Sequence, residues 1–134
     1  MFPAPVPHLQ VSFHISGVGV LVSCFSLAKM IQKQKPDFIL QVGLAGVFDT
    51  ASMLGKVVAL KEEYLGDCGA EEDDGFYDLF DLNLLPKNES PFKEKKLINP
   101  HLDNWNLLSL DTVAGITVSE ATTKQARINQ LKLK

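Results

Sequence analysis

The sequence predicts an α/β protein built on a three-layer, mainly parallel twisted sheet flanked by helices. Two predicted strands, the weakly alternating, β-branched segment Val11–Ile15 and the continuous apolar run Asp37–Val42, bracket the amphipathic segment Val20–Gln34 in the order strand, helix, strand. This order is typical of a right-handed crossover between parallel strands. Two further apolar runs, Lys56–Leu60 and Val113–Val118, predict additional strands of the same sheet.

The helices follow from periodicity and from their end signals. The segment Val20–Gln34 carries an apolar stripe near period 3.6, made of Val22, Phe25, Ala28, Met30 and Ile31. Positive charge at Lys33 and Lys35, followed by Pro36, predicts where this helix ends. A second helix is predicted over Glu120–Leu131.

The remaining segments predict one partial domain over residues 1–134. Residues 1–10 form a proline-rich lead-in. The segment Tyr64–Asp81 is rich in Gly, Asp and Glu and predicts a surface excursion, that is, a segment that leaves the sheet and lies at the surface. Residues 82–110 predict a long loop or insertion. A sheet of this type usually opens with a core strand, and here the chain begins with prolines and stops on a helix. We therefore expect an incomplete domain, shortened at both ends.

Composition excludes several classes of function. The net charge of −3 and the single arginine, Arg127, argue against a nucleic-acid partner. The longest apolar tract, Gly17–Ala28, is shorter than the ~20 residues that a membrane span needs. The lead-in lacks the basic start of a signal peptide, and Cys24 and Cys68 have no metal-binding spacing. We therefore expect a cytoplasmic protein with free thiols and no membrane partner.

Three strand-to-loop junctions are flanked by glycine and predict a small-molecule pocket: Gly17–Gly19, Gly43–Gly46 and Gly115–Ser119. The first resembles the start of a dinucleotide fingerprint, but Val22 stands where its third glycine is expected, so a tight turn is an equal interpretation. The acidic run Glu71–Asp74 favours a solvated turn over a cation site. The histidines lack zinc or triad spacing. We predict no metal and no organic cofactor.

Taken together, the motifs resemble those of the nucleoside phosphorylase/nucleosidase superfamily in order and spacing. They are Ser16–Gly19, Pro36–Gly46, Leu54–Val58 and Gly115–Ser119. The segment Glu62–Glu71, followed by Gly75 and Phe76, is most similar to the futalosine hydrolases. The resemblance implies a purine nucleosidase that hydrolyses the N-glycosidic bond of futalosine and releases hypoxanthine, in menaquinone biosynthesis. It also implies a purine nucleoside as the small-molecule partner, and it is compatible with a homo-oligomer.

Two positions favour hydrolysis over phosphorolysis within this resemblance. Phosphorylases of the superfamily commonly place an arginine where Gln41 stands and a serine where Leu44 stands. Phosphate recognition favours permanently charged guanidinium donors, and a leucine removes hydrogen bonds without replacing them. With water as the nucleophile neither group is needed.

The resemblance also implies the substrate-binding positions. These are Leu44, Ala45, Gly46, Thr117, Val118, Ser119, Ala121 and Thr122. For Ala45, Gly46 and Ala121 close packing is the alternative interpretation. The aspartate and glutamates that perform catalysis in the family have no counterpart here, and the nearest carboxylates, Glu62, Glu63 and Glu120, do not match its motifs. We assign no catalytic residue, and we expect this chain alone to hold part of a pocket and little chemistry.

Alternatives stay open at this point. One is a nucleosidase acting on methylthioadenosine or adenosylhomocysteine, or a purine nucleoside phosphorylase. Another is a non-catalytic nucleoside-binding pseudoenzyme domain, which the missing carboxylates favour. A third is an unrelated dinucleotide-binding domain, although its fingerprint is incomplete.

Overall fold

The structure, a computed structural model, describes residues 9–102 and 109–133. Residues 1–8 of the lead-in and residues 103–108 of the predicted loop 82–110 thus lie outside the described residues. The chain divides into two units, with described residues 9–43 in the first and 44–102 and 109–133 in the second. None of the helices in the described ranges combines the length and the apolar character needed to cross a membrane.

The first unit is organised around helix α1, Val20–Gln34, whose predicted bounds are confirmed. The turn before it needs glycine, because Gly17 and Gly19 have φ of 91° and 86°. A Cβ on Gly17 would also lie 2.6 Å from Cγ1 of Val22. The helix ends as predicted, with Lys35 in the left-handed region and its N–H donating to the carbonyl of Ile31 at 2.9 Å. This geometry supports the tight-turn interpretation of Gly17–Gly19.

The two strands predicted beside α1 are wrong. Val11–Ile15 and Asp37–Val42 have no strand assignment in the structure, so the predicted crossover is not formed. A strand forms only where its backbone N–H and C=O groups pair with those of another strand. The hydrophobicity of a segment indicates that it tends to be buried, but it does not show whether a second strand is available to pair with it. Around residues 11–15 the hydrogen bonds to α1 come from side chains, Ser12 and His14, rather than from a backbone ladder.

The apolar stripe of α1 is correspondingly uncovered. No residue of this helix is buried, and Phe25 retains 72% of its exposure. In the preceding segment Phe13 and Ile15 are 97% and 93% exposed. The stripe predicts the helix correctly, but its side chains are not buried in this structure.

The second unit contains a four-stranded sheet in the order β4-β5-β1-β6. Its strands are β1 (Val58–Leu65), β4 (Phe92–Lys93), β5 (Lys96–Ile98) and β6 (Asp111–Thr117). A separate hairpin pairs β2 (Gly69–Glu72) with β3 (Gly75–Asp78). The described helices here are α2 (Thr50–Met53) and α3 (Gln125–Lys132), the latter beginning five residues later than predicted.

The protein is therefore of mixed α/β type, as predicted, but the sheet is not mainly parallel. β1 and β6 are parallel, which agrees with the prediction for these two strands, whereas the β1–β5 and β4–β5 pairs are antiparallel. The antiparallel strands lie within residues 82–110, where the sequence predicts a long loop or insertion. β4 has two residues and β5 has three, which is too few to show a periodic hydrophobic pattern in the sequence.

The predicted surface excursion Tyr64–Asp81 is also more ordered than expected. Tyr64 and Leu65 complete β1, and the β2–β3 hairpin follows, with Gly69 opposite Asp78 and Glu72 opposite Gly75. The sequence does not predict this hairpin because the segment is acidic, and Glu and Asp are on average depleted in strands. Cross-strand pairing overrides that tendency here.

The central strand β1 carries a bulge at Lys61. Leu60 is paired with Val113 and Glu62 with Ala114, so one extra residue of β1 is accommodated between these pairs. Beyond the bulge the register is regular, with Glu63 opposite Gly115 and Leu65 opposite Thr117.

Among the described residues of the second unit, two apolar side chains are buried. Phe80 and Leu131 are each 7% exposed. The Phe80 ring meets the Phe92 ring edge-to-face at 5.2 Å between centroids, which joins the end of the hairpin to β4. Helix α3 contributes Leu131 and sets the Arg127 guanidinium over the Phe76 ring at 5.2 Å.

A cationic side chain completes this cluster. The Lys95 ammonium group lies 3.1 Å from Asp78 and 2.6 Å from Asp81, and 5.8 Å from the centre of the Phe80 ring. The hydrogen bond from Lys95 lowers the pKa of the Asp81 carboxyl, and the same bond raises the pKa of Lys95.

Truncating the core aromatic should destabilise the protein strongly. We expect Phe80→Ala to lower the free energy of unfolding by about 3 kcal/mol, because it removes a buried ring and leaves a cavity. Phe13→Ala, at a position 97% exposed, is the control and should change it by less than about 0.5 kcal/mol. Urea unfolding followed by circular dichroism measures both; equal effects would contradict this description of the core.

The Lys95 cluster should make stability depend on pH. A lowered carboxyl pKa stabilises the folded state fully above the unfolded value of about 4, and this contribution is lost as pH falls through the folded pKa. The raised pKa of Lys95 stabilises the folded state fully below the unfolded lysine pKa of about 10.4. This stabilisation is lost as pH rises through the pKa of the folded state. Lys95→Met should therefore cost about 1 kcal/mol at pH 7 and less below about pH 4.

Urea unfolding at a series of pH values measures this difference. Lys93→Met, at an exposed position on the adjoining strand, is the matched control. If Lys95→Met lowers the free energy of unfolding by the same amount at neutral and at acid pH, the ion pairs of Lys95 are not the cause of the loss.

Candidate functional site

The parallel strands β1 and β6 end side by side, and polar side chains gather at this carboxyl edge. The Thr117 hydroxyl donates a hydrogen bond to the Glu63 carboxylate. This diagonal contact follows from the register, since Leu65 is opposite Thr117 and Glu63 points to the same face two residues earlier. Both side chains are half-buried. The edge therefore presents a carboxylate with its neighbouring hydroxyl held in place.

A second carboxylate, Asp67, fastens the loop that follows β6. It accepts hydrogen bonds from the backbone N–H groups of Ser119 and Glu120, the latter at 3.2 Å, and from the Ser119 hydroxyl at 3.4 Å. The parallel register accounts for this contact, because Asp67 and Ser119 each stand two residues beyond the Leu65–Thr117 pair. Ionised acceptors make stronger hydrogen bonds to backbone amides than neutral ones do.

Between these two carboxylates the backbones of the strand ends approach closely. The Gly66 N–H donates to the Thr117 carbonyl at 2.7 Å. A Cβ on Gly66 would lie 2.7 Å from the Ile116 side chain and 2.9 Å from that of Val118. Val118, a predicted substrate-binding residue, therefore packs over Gly66.

Ala121 and Thr122 lie between this edge and helix α3. The Thr122 hydroxyl accepts a hydrogen bond from the Lys124 N–H at 3.1 Å, a local turn that precedes the helix. Ala121 is exposed. These residues continue the segment that Asp67 holds.

Leu44, Ala45 and Gly46 lie on the loop that precedes α2. The Leu44 side chain is fully exposed, and a Cβ on Gly46 would meet nothing within 4 Å. Close packing therefore does not explain Gly46. In the part of the chain that the structure describes, the hydrogen bonds of Thr117–Glu120 go to Glu63, Gly66 and Asp67 and not to this loop. Hydrogen bonds therefore link Thr117 and Ser119 to the end of β1 and the residues after it, and substrate binding at both groups of predicted residues stays a prediction.

The other glutamates considered from the sequence have different surroundings. Glu62 faces away from Glu63 and lies 3.3 Å from the Lys96 ammonium group. The pKa of Lys96 is raised, first by hydrogen bonding to Tyr64 and then by hydrogen bonding to Glu62. The centre of the Tyr64 ring lies 5.1 Å from the Lys96 ammonium group. Glu120 enters the site through its backbone N–H.

Asp67 is the site residue that sequence reasoning missed. It stands inside the Glu62–Glu71 segment on which the family resemblance depends, but no role was inferred for it. The position of Asp67 is what indicates its role. Asp67 lies two residues after the end of β1, and Ser119 lies two residues after the end of β6. Recognising this needs the strand register, which the sequence alone does not supply.

Across residues 9–102 and 109–133 no group of three or more His, Cys, Asp or Glu side chains could hold a metal ion. The acidic run Glu71–Asp74 is spread over β2 and its turn, and Asp74 accepts a hydrogen bond from the Tyr77 hydroxyl at 2.8 Å. That hydrogen bond raises the pKa of Tyr77.

A shallow cleft of about 190 Å³ lies beside the end of β1. It is lined by Tyr64, Leu65, Asp78, Phe80 and Lys95. Its cation and its carboxylate already pair with each other, so it offers a ligand an apolar floor and little unpaired charge.

Comparison of the chain with models of known protein families, with curated proteins and with solved structures finds no match.

Replacing Asp67 should release the loop after β6. We expect Asp67→Asn to raise the hydrogen-exchange rates of the Ser119 and Glu120 amides about tenfold, because the charge-assisted acceptor is lost. Asp73→Asn, in the exposed turn between β2 and β3, is the matched control. Exchange followed by NMR reports each amide separately; unchanged rates at both amides would show that Asp67 does not hold this loop.

Proposed function

We propose that this protein is a purine nucleosidase of the futalosine hydrolase type and that the carboxyl edge of β1 and β6 binds its nucleoside. The observation that carries the proposal is the group formed by Thr117 and Ser119 with Glu63 and Asp67. Ribose hydroxyls need both acceptors and donors, and carboxylates beside hydroxyls offer both. The residues come from the segments on which the family resemblance depends.

The absence of cationic side chains from these contacts supports a nucleoside over a phosphorylated ligand. The described hydrogen-bonding partners of Thr117 and Ser119 are carboxylates and backbone groups. An anion would be repelled by Glu63 and Asp67, whereas a neutral sugar can donate to them. Water is then the nucleophile in the proposed reaction, as Gln41 and Leu44 suggest in place of the arginine and serine of phosphorylases.

The proposed chemistry breaks the bond between the ribose C1′ and the purine nitrogen through an oxocarbenium-like state. Such a reaction needs an acid for the leaving purine and a carboxylate that orients water. We assign neither role, because Glu63 and Asp67 are engaged by the protein itself. A cytoplasmic setting and a homo-oligomer stay predictions.

That engagement favours a second candidate function, nucleoside binding without hydrolysis. Glu63 accepts from Thr117, Asp67 accepts from two backbone amides, and Glu62 pairs with Lys96. Carboxylates fastened in this way stabilise the fold and are less available as acids or bases. A domain of this kind would keep the ligand preference of the nucleosidases and lack their reaction.

Two measurements on the purified chain separate the candidates. Calorimetric titration with inosine and hypoxanthine measures binding, and chromatography of a reaction with futalosine measures the release of hypoxanthine. Binding with release supports the nucleosidase, and binding without release supports the second function. Absence of binding to both titrated compounds together with absence of release would overturn both.

The Thr117 hydroxyl provides the corresponding variant. We expect Thr117→Val to raise the dissociation constant for the nucleoside about tenfold, since it removes a hydroxyl at the edge and leaves Glu63 without its donor. Thr112→Val, an exposed position at the other end of β6, is the control. Melting temperatures establish that both variants fold. Equal affinity in the two variants would contradict this location of the site.

A further inference from the structure

Helix α1 carries a cleft of about 220 Å³ whose lining is basic and polar. The lining residues are His14, Ser26, Lys29, Met30, Lys33 and Gln34. We propose that this cleft binds a phosphate group, either free phosphate or the phosphate of a small phosphomonoester. The cleft belongs to the first unit and its residues are independent of those assigned to the nucleoside.

The helix itself brings the donors together. Ser26, Lys29 and Lys33 are spaced at i, i+3 and i+7, which places them on one face of α1. Both lysines are exposed, so their ammonium groups can turn toward a ligand without first losing a buried partner. Flexible lysine stems reach an anion as point charges.

The segment before the helix closes the other side of the cleft. The His14 Nε2 atom lies 2.9 Å from the Ser26 hydroxyl oxygen, and the Ser12 hydroxyl donates to the Gln34 side-chain oxygen at 3.4 Å. When Nε2 carries the proton and donates to Ser26, the hydroxyl hydrogen of Ser26 is free to donate to a ligand. In that tautomer the imidazole orients a donor into the cleft.

Charge makes the cleft selective for anions. Its lining holds two lysines and no carboxylate. The described part of the first unit contains three lysines, Lys29, Lys33 and Lys35, against one acidic residue, Asp37. The chain as a whole is acidic, with a net charge of −3, so this basic face runs against its average.

Phosphate is the anion that suits this set of groups. As a dianion near neutral pH it neutralises both ammonium groups, and its several oxygens can accept from Ser26 as well. A monovalent carboxylate would leave one lysine uncompensated. The volume leaves room for a small organic group attached to the phosphate.

NMR titration of the full chain tests the proposal. Inorganic phosphate, glycerol 1-phosphate and acetate are added at constant ionic strength, and amide shifts are followed. We expect saturable shifts confined to residues 12–15 and 26–34 with both phosphates, and weak, unsaturated shifts with acetate. Tighter binding of glycerol 1-phosphate than of phosphate would identify the phosphomonoester as the ligand class, and the reverse order would identify free phosphate.

Variants at exposed lysines keep the fold and change only the charge. Lys29→Gln and Lys33→Gln should each raise the phosphate dissociation constant about fivefold. Lys35→Gln, on the same helix end but outside the cleft, should leave it unchanged. Saturation by phosphate with no effect of the first two variants, or an equal effect of all three, would overturn the proposal, as would the absence of saturable shifts. Nucleoside binding at β1 and β6 is measured separately, so the two outcomes are distinguishable.

Discussion

The in-register parallel pairing of β1 with β6 is the constraint on which the second unit depends. β1 occupies an interior position, with β5 on one side and β6 on the other. The pairing brings two segments that lie some fifty residues apart in sequence to one edge, and there Glu63 meets Thr117 and Asp67 meets Ser119. The hydrogen-bonded ladder therefore supplies both the architecture and the chemistry of the candidate site.

The two units balance polar and apolar groups differently. In the second unit an aromatic pair, Phe80 and Phe92, is covered by Lys95, whose charge is compensated by carboxylates. In the first unit the Ser12 and His14 side chains bond to α1, while the neighbouring Phe13 and Ile15 remain exposed. Polar side chains that contact the helix therefore alternate along this segment with exposed apolar ones.

The sequence predicts those elements whose signals are local. Helix α1 has its glycine turn, its periodicity and its proline stop, and its bounds are predicted correctly. The strands at 58–65 and 111–117 overlap their predicted runs, 56–60 and 113–118, and these two strands pair with each other. The strands expected at 11–15 and 37–42 fail because pairing is a non-local property. For the same reason the short strands β4 and β5, and the role of Asp67, become visible only when the register is known.

The bulge at Lys61 has a consequence for the two adjacent glutamates. Side chains alternate between the faces of a strand, so the single extra residue inverts every position that follows it. With a regular ladder from Leu60 onward, Glu62 would share the face of Thr117 and Glu63 would turn toward Lys96. One inserted residue thus gives two chemically identical carboxylates different partners: Glu63 contacts Thr117 of β6, and Glu62 contacts Lys96 of β5.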